Sequence, residues 1–175
     1  MITLSGTSYS TSGSTLTMSD GRRVTASPTA ATGYSTSFSS WSPSSATMNT
    51  TRTVTANFSR TGNTYYVAYN GNGNTGGSTA TSTHRYGTAS ALRANGFVKN
   101  YRMNYGSKTL SWTFRNWNRN SSGTSTSYSN GQSVTNLATS GTVTLYAQWS
   151  LSKTGKVTAT GNSLNMRTGP GTGYN

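Results

Sequence analysis

The sequence predicts an all-β to mainly β chain, built from tandem small modules with at most one short helix. Three observations lead there. Ser and Thr exceed a third of the 175 residues, and Thr, Tyr, Trp, Val and Phe favour pleated, half-buried surfaces. Hydrophobic residues reach only 30%, yet 11% of the chain is aromatic, which points to thin domains with small aromatic cores. Short alternating runs are also separated by Asp-Gly and Asn-Gly turn signals.

Thr15-Leu16-Thr17-Met18 and Arg23-Val24-Thr25-Ala26 flank Ser19-Asp20-Gly21-Arg22, the pattern of a hairpin with a tight turn. Asp20 is read as a turn residue tolerant of positive φ. Tyr34, Phe38 and Trp41 supply aromatic core, with a sugar-stacking platform as the alternative. In Thr53 to Ser59 the residues Val54, Ala56 and Phe58 share one face. The same arrangement recurs downstream. Trp117 is followed by Thr142 to Ser150, where Val143, Leu145, Ala147 and Trp149 share a face. Both runs read as the closing strand of a module, and Trp41, Phe58, Tyr146 and Trp149 are the expected structural core. Arg60-Thr61-Gly62 and Lys153-Thr154-Gly155 read as joints, dividing the chain into residues 1–59, 60–151 and 152–175.

A strand at Thr64 to Tyr69 leads into Asn70-Gly71-Asn72-Gly73-Asn74-Thr75-Gly76-Gly77. No Gly-Lys-Ser/Thr follows and the dinucleotide-binding spacing fails, so turn chemistry explains this loop better than phosphate binding. His84, on a Thr-rich stretch, reads as a surface or turn residue. Thr88 to Ala94 is the one segment that suits a short helix. Phe97 to Tyr105 and Lys108 to Trp117 form a long hairpin bending at Tyr105-Gly106-Ser107. Strict alternation puts Trp112 and Phe114 on one face of it, and Arg115 and Trp117 on the other.

Charge narrows the function. Fourteen Lys and Arg stand against one acidic side chain, Asp20, and one His, for a net charge of +13. With no Cys as well, the chain lacks the paired carboxylates, nucleophile–base pairs and ligand clusters that most enzymes and metal sites need. The expectation is therefore no catalytic residue, no cofactor and no metal. The charge favours anionic partners, whether nucleic acid, wall polymers or acidic membrane surfaces, against a plain soluble surface with no specific partner. The long hairpin concentrates Lys99, Arg102, Lys108, Arg115 and Arg119 beside Tyr101, Tyr105, Trp112, Phe114 and Trp117, a combination that grips polyanions, sugars or single-stranded nucleic acid. Those five cations are the candidate polyanion-binding residues. No apolar run approaches a membrane span, and Met1-Ile2-Thr3 does not read as a signal peptide, so the signal of an exported protein is expected outside this window.

Residues 64–150 resemble a Listeria–Bacteroides, internalin B-type surface repeat. The resemblance rests on Tyr69-Asn70-Gly71-Asn72-Gly73, Tyr86-Gly87, Trp117-Asn118, Gly123 to Tyr128 and Gly141 to Trp149. Residues 1–59 resemble a companion bacterial repeat through Gly33-Tyr34, Trp41 and Thr53 to Phe58, without its opening strand. Gly155 to Ala159 and Leu164 to Tyr174 resemble the start of a bacterial SH3-like domain. The resemblance implies small β-grasp-like or Ig-like modules in a window of a longer protein. It further implies a spacer and adhesion scaffold of a bacterial cell-surface or secreted protein, and the positive charge adds an anionic cell-wall polymer or other polyanion as the expected partner. The hairpin from Phe97 to Phe114 and the missing carboxylates depart from the family pattern. A structural fibre or decoration protein of a virus or filament, pairing with other copies of itself, is the second reading. A non-specific nucleic-acid binder is the third. Sequence-specific nucleic-acid recognition and membrane insertion are not expected.

Overall fold

The alternating runs at residues 15–18, 53–59, 64–69 and 142–150 form strands, and two separate cores follow from two separate sets of apolar faces. The computed structural model describes residues 2–4, 8–45, 51–102 and 109–151. The expected SH3-like start at 152–175, the joint at Lys153 and the bend at Tyr105-Gly106-Ser107 lie outside the described residues. The described residues are all β, with no helix among them.

The first module contains β1 (Ile2–Leu4), β2 (Tyr9–Ser12), β3 (Thr15–Met18), β4 (Arg23–Thr25), β5 (Tyr34–Ser42) and β6 (Arg52–Gly62). Two antiparallel three-stranded sheets result, β1-β6-β5 and β2-β3-β4. Their inner faces enclose Tyr9, Leu16, Met18, Trp41 and Val54, all buried. In the β3–β4 turn the positive φ (+84°) falls on Gly21, not on Asp20. Asp20 instead accepts hydrogen bonds from the Arg22 backbone N–H at 3.1 Å and from Arg22 Nε at 2.7 Å. The first of these bonds, then the second, holds its carboxyl below the usual range.

The second module contains β7 (Thr64–Asn70), β8 (Gly76–Gly77), β9 (Ser82–Arg85), β10 (Ser90–Ala91), β11 (Phe97–Val98), β12 (Asn100–Arg102), β13 (Thr109–Asn118), β14 (Ser127–Tyr128), β15 (Ser133–Val134) and β16 (Gly141–Leu151). The main sheet runs β12-β13-β16-β7-β9, with β14 also pairing β13. β7 and β16 are parallel and the other pairs are antiparallel. Tyr65, Val67, Trp117, Leu145 and Ala147 are buried in the core with Leu92 and Val134, which arrive from the β10–β15 region. The segment expected to be helical, Thr88 to Ala94, is extended instead. Its backbone pairs with residues some forty positions downstream, Ser90 with Val134, and Leu92 N–H donates to Gln132 O at 2.9 Å. A one- or two-turn helix is a costly nucleus, and a distant strand satisfies the same groups.

Both modules share a device that strict alternation missed. β5 and β13 each carry Phe-x-x-Trp with a register shift between the rings, Phe38/Ser40 against β6 and Phe114/Asn116 against β16. The extra residue returns both rings to one face. Phe38 and Trp41 centroids lie 5.7 Å apart, and Phe114 and Trp117 centroids 4.9 Å apart. Phe114 and Trp117 therefore pack into the same core, and the expected split of the hairpin aromatics between two faces is overturned at this pair.

The expected core also needs one clear correction. Trp41 is buried, and Trp149 packs half-buried on Phe114 with its Nε1 donating to Gly71 O at 2.9 Å. Tyr146 is half-buried. Phe58 is 42% exposed. It meets Phe38 edge to face but is not part of the enclosed cluster, which takes in Phe38 and Ala56. On its other edge β6 pairs β1 only over Arg52 to Val54, antiparallel, whereas the matching strand of the second module, β16, pairs β7 in parallel.

Candidate functional site

Arg60-Thr61-Gly62 is not a loop. These residues extend β6 to Gly62, opposite Tyr34, and Asn63 alone separates β6 from β7. Asn63 N–H donates to Gly33 O at 2.9 Å, its carbonyl accepts from Tyr86 N–H at 2.9 Å, and its Oδ1 accepts from Ser35 Oγ at 2.6 Å. One residue is thus bonded to both modules.

Two tyrosines complete this joint. Tyr34 of β5 and Tyr86, just past β9, meet edge to face with centroids 5.2 Å apart. Each ring rests on the glycine beside the other. A Cβ on Gly33 would stand 2.6 Å from the Tyr86 ring, and one on Gly87 would overlap the Tyr34 hydroxyl. Both glycines hold positive φ, +79° and +78°, so a side chain is excluded twice over. The Arg60 guanidinium caps the Tyr34 ring 4.2 Å from its centroid. The aromatic pair contributes about 0.5–1.5 kcal/mol beyond its area, and the exposed cation about 0.5–1 kcal/mol.

Of the candidate cations, the side chains of Lys99, Arg115 and Arg119 are described, and each has its own setting. Lys99 Nζ donates to Asn72 O at 3.3 Å and lies 4.9 Å from the centre of the Trp112 ring. Arg119 donates to Leu137 O at 3.0 Å. The exposed Arg115 sits at the β13 bulge. Arg102 ends β12 opposite Thr109, and Lys108 lies outside the described residues. Among the described residues the one carboxylate, Asp20, pairs with Arg22.

A polar cavity of about 180 Å³ opens beside the bulge, lined by Arg115, Asn116, Ser122, Gly123, Ser127, Gln148 and Trp149. Asn118, fully buried, fixes its loop wall. Its Nδ2 donates to Ser125 O and Ser127 Oγ, and its Oδ1 accepts from the N–H groups of Asn120 and Ser125. Asn72 Nδ2 adds bonds to Ser121 O and Ala147 O, both at 2.9 Å. The Gly-rich loop that carries Asn72 therefore works as a structural turn, with Asn72 at φ +50°. Asn116 and Gln148 were missed from sequence. They face each other across β13 and β16 only because the bulge resets the register. A second, shallow hollow of about 250 Å³ lies over Tyr9 and Met18 on β2 and β3.

His84 is buried, contrary to its expected surface position. It stacks on Tyr65 with centroids 5.3 Å apart, and its Nε2 lies 2.8 Å from Ser82 Oγ. Ser82 Oγ in turn meets Tyr69 Oη at 2.9 Å, and Tyr69 Oη accepts from Arg93 N–H at 2.8 Å. The His84 Nδ1 is buried without a partner among the described residues. Burial pushes the His84 pKa below its ordinary value near 6.5. A Ser–His pair at this distance has the spacing of a nucleophile and its base, and here both side chains are buried.

The described residues hold no group of three or more His, Cys, Asp or Glu side chains that could bind a metal ion. No helix among them is long and apolar enough to cross a membrane. Compared with known protein families, curated proteins and solved structures, the chain matches none.

Proposed function

We propose that this chain is a non-catalytic, tandem-module segment of a bacterial cell-surface or secreted protein. It acts as a stiff spacer and adhesion scaffold, and its excess positive charge holds anionic wall polymers or other polyanions. The observation that carries the reading is the joint at Asn63. A spacer has to transmit its length, and a single connecting residue bonded to both modules, beside two tyrosines seated on each other's glycines, suits that task. Most linkers between independent domains are longer, polar and weakly packed. The two modules also reuse one closing plan, Phe-x-x-Trp at a bulge beside a long last strand, as expected for stacked units. Fourteen cations against one carboxylate leave at least thirteen (14 − 1) without a side-chain counter-ion in the chain, so external polyanions are the natural complement.

Small-angle scattering tests the spacer. One rigid shape should fit the native profile, and Gly33→Val with Gly87→Val should require an ensemble of module orientations. A native profile that already needs an ensemble overturns the stiff-spacer reading. A salt titration tests the partner. Heparin, teichoic-acid-like polymer and DNA should compete, and six to ten ionic contacts would lose about 10³–10⁵ in DNA affinity between roughly 50 and 200 mM salt. Salt-resistant, sequence-dependent DNA binding would replace this reading with a nucleic-acid one.

A further inference from the structure

The polar cavity at the β13 bulge has the make-up of a ligand site. We propose that it binds one sugar unit bearing an acidic group, as part of an anionic glycan. The inference deepens the adhesion half of the proposed function and rests on it.

Its position follows from the sheet. β12 covers β13 at Thr109 to Ser111, and β14 covers it at Trp117 and Asn118. Between them no strand among the described residues pairs the outer edge of β13 along Thr113 to Asn116, and the cavity opens there, at Arg115 and Asn116. A gap in a sheet edge is ordinarily filled or charged. Here it is walled by a loop tied at Asn120, Ser121 and Ser125 by side chains of the sheet and the neighbouring turn, so the wall is in place before any ligand arrives.

The lining chemistry selects the ligand. Asn116 brings an amide whose Oδ1 is buried with no donor, and Gln148 brings a second amide from the facing strand. Gln148 Nε2 is held by Asn120 O at 3.2 Å, and its Oε1 lies toward Gly123. A side-chain turn of Asn116 toward an incoming hydroxyl would supply its missing partner. Hydroxyls both donate and accept, so they match either orientation of an amide. Ser122 and Ser127 add further hydroxyls to the wall. Arg115 adds one cation, exposed at the rim, and the chain's one carboxylate is already bound to Arg22. A guanidinium pairs a carboxylate in two-point fashion. Several neutral polar groups around one cation fit a hydroxylated ring with a single acid. A bare polyphosphate would call for several cations. A cavity of about 180 Å³ admits one ring and leaves the rest of a glycan outside.

The test is a backbone-amide NMR titration of the whole chain with tetragalacturonic acid, its methyl ester and tripolyphosphate. Shifts should concentrate at Arg115, Asn116, Gly123 and Ser127. Arg115→Gln should weaken the acid by about tenfold, the scale of one charge-assisted hydrogen bond, and leave the ester unchanged. Asn116→Ala should weaken both. It removes an amide with an unmet acceptor, so the fold should tolerate it. If it does not, Ser122→Asp at the exposed rim should repel the acid at unchanged melting temperature. Arg23→Gln, in the other module, should have no effect. The proposal fails if tripolyphosphate competes with shifts spread over the basic surface, if Arg23→Gln weakens the acid as much as Arg115→Gln, or if the sugar acid shifts no cavity amide. Scattering of the same samples reports separately on the stiff joint, so failure of the site and failure of the spacer are told apart.

Discussion

Trp41 and Trp117 hold equivalent places, opposite Ala56 and Ala147 on the closing strands of the two modules. Trp117 is fully buried, touches Tyr69, Phe97 and Phe114, and donates from Nε1 to Arg93 O at 3.2 Å. Trp117→Ala should therefore cost the second module about 3–5 kcal/mol, read from its denaturant midpoint. Phe58→Ala, at an exposed site, should cost well under half of that in the first module. His84 gives the chain a pH dependence. Its folded pKa lies below its unfolded value, so below about pH 6.5 the unfolded chain takes up the proton first. Stability is full above that pH and falls as pH drops toward the folded pKa. His84→Gln should flatten unfolding midpoints between pH 7.5 and pH 5, and an unchanged slope would locate the effect elsewhere. The turn role of Asp20 was legible, because Asp-Gly between two alternating runs has a local explanation. The burial of His84 was not, because it depends on β9 pairing with β7 and on Tyr65 covering the ring.

Elements were legible where the side-chain period is two. The hairpin of β3 and β4, the strands β6, β7 and β16, and the β12–β13 pairing all follow from alternation and turn residues. The bulges in β5 and β13 were not legible, because one inserted residue reverses the facing of everything beyond it. Deleting Arg115 should restore strict alternation and put Phe114 and Trp117 on opposite faces. The second module should then lose stability on the scale of an aromatic truncation, about 3–5 kcal/mol, and deletion of Ser39 should do the same to the first. Thermal unfolding followed by tryptophan fluorescence checks both. Cooperative melting at the native temperature would show that the rings do not need the bulge.

Across the whole molecule, Asn63, Tyr34 and Tyr86 connect two small cores, and the two are expected to unfold together. Gly87→Val should split the unfolding of the chain into two transitions, because it drives a side chain into Tyr34 at a positive-φ position. A single transition at the native midpoint would mean that Tyr34 and Tyr86 contribute nothing to coupling. The sequence by itself determined the β class, the repeated closing strands, the aromatic origin of the cores and the excess of positive charge. Each is a property of composition or of neighbours two residues apart. Only the tertiary structure decided that Phe58 is left uncovered, that Asn116 meets Gln148 in a polar cavity, and that Gly33 and Gly87 carry each other's tyrosines. Those contacts join residues some 30 to 50 positions apart, and they depend on register and on how two modules meet. No local pattern encodes either one, because the free energy that selects them comes from surfaces that exist only after the strands have paired.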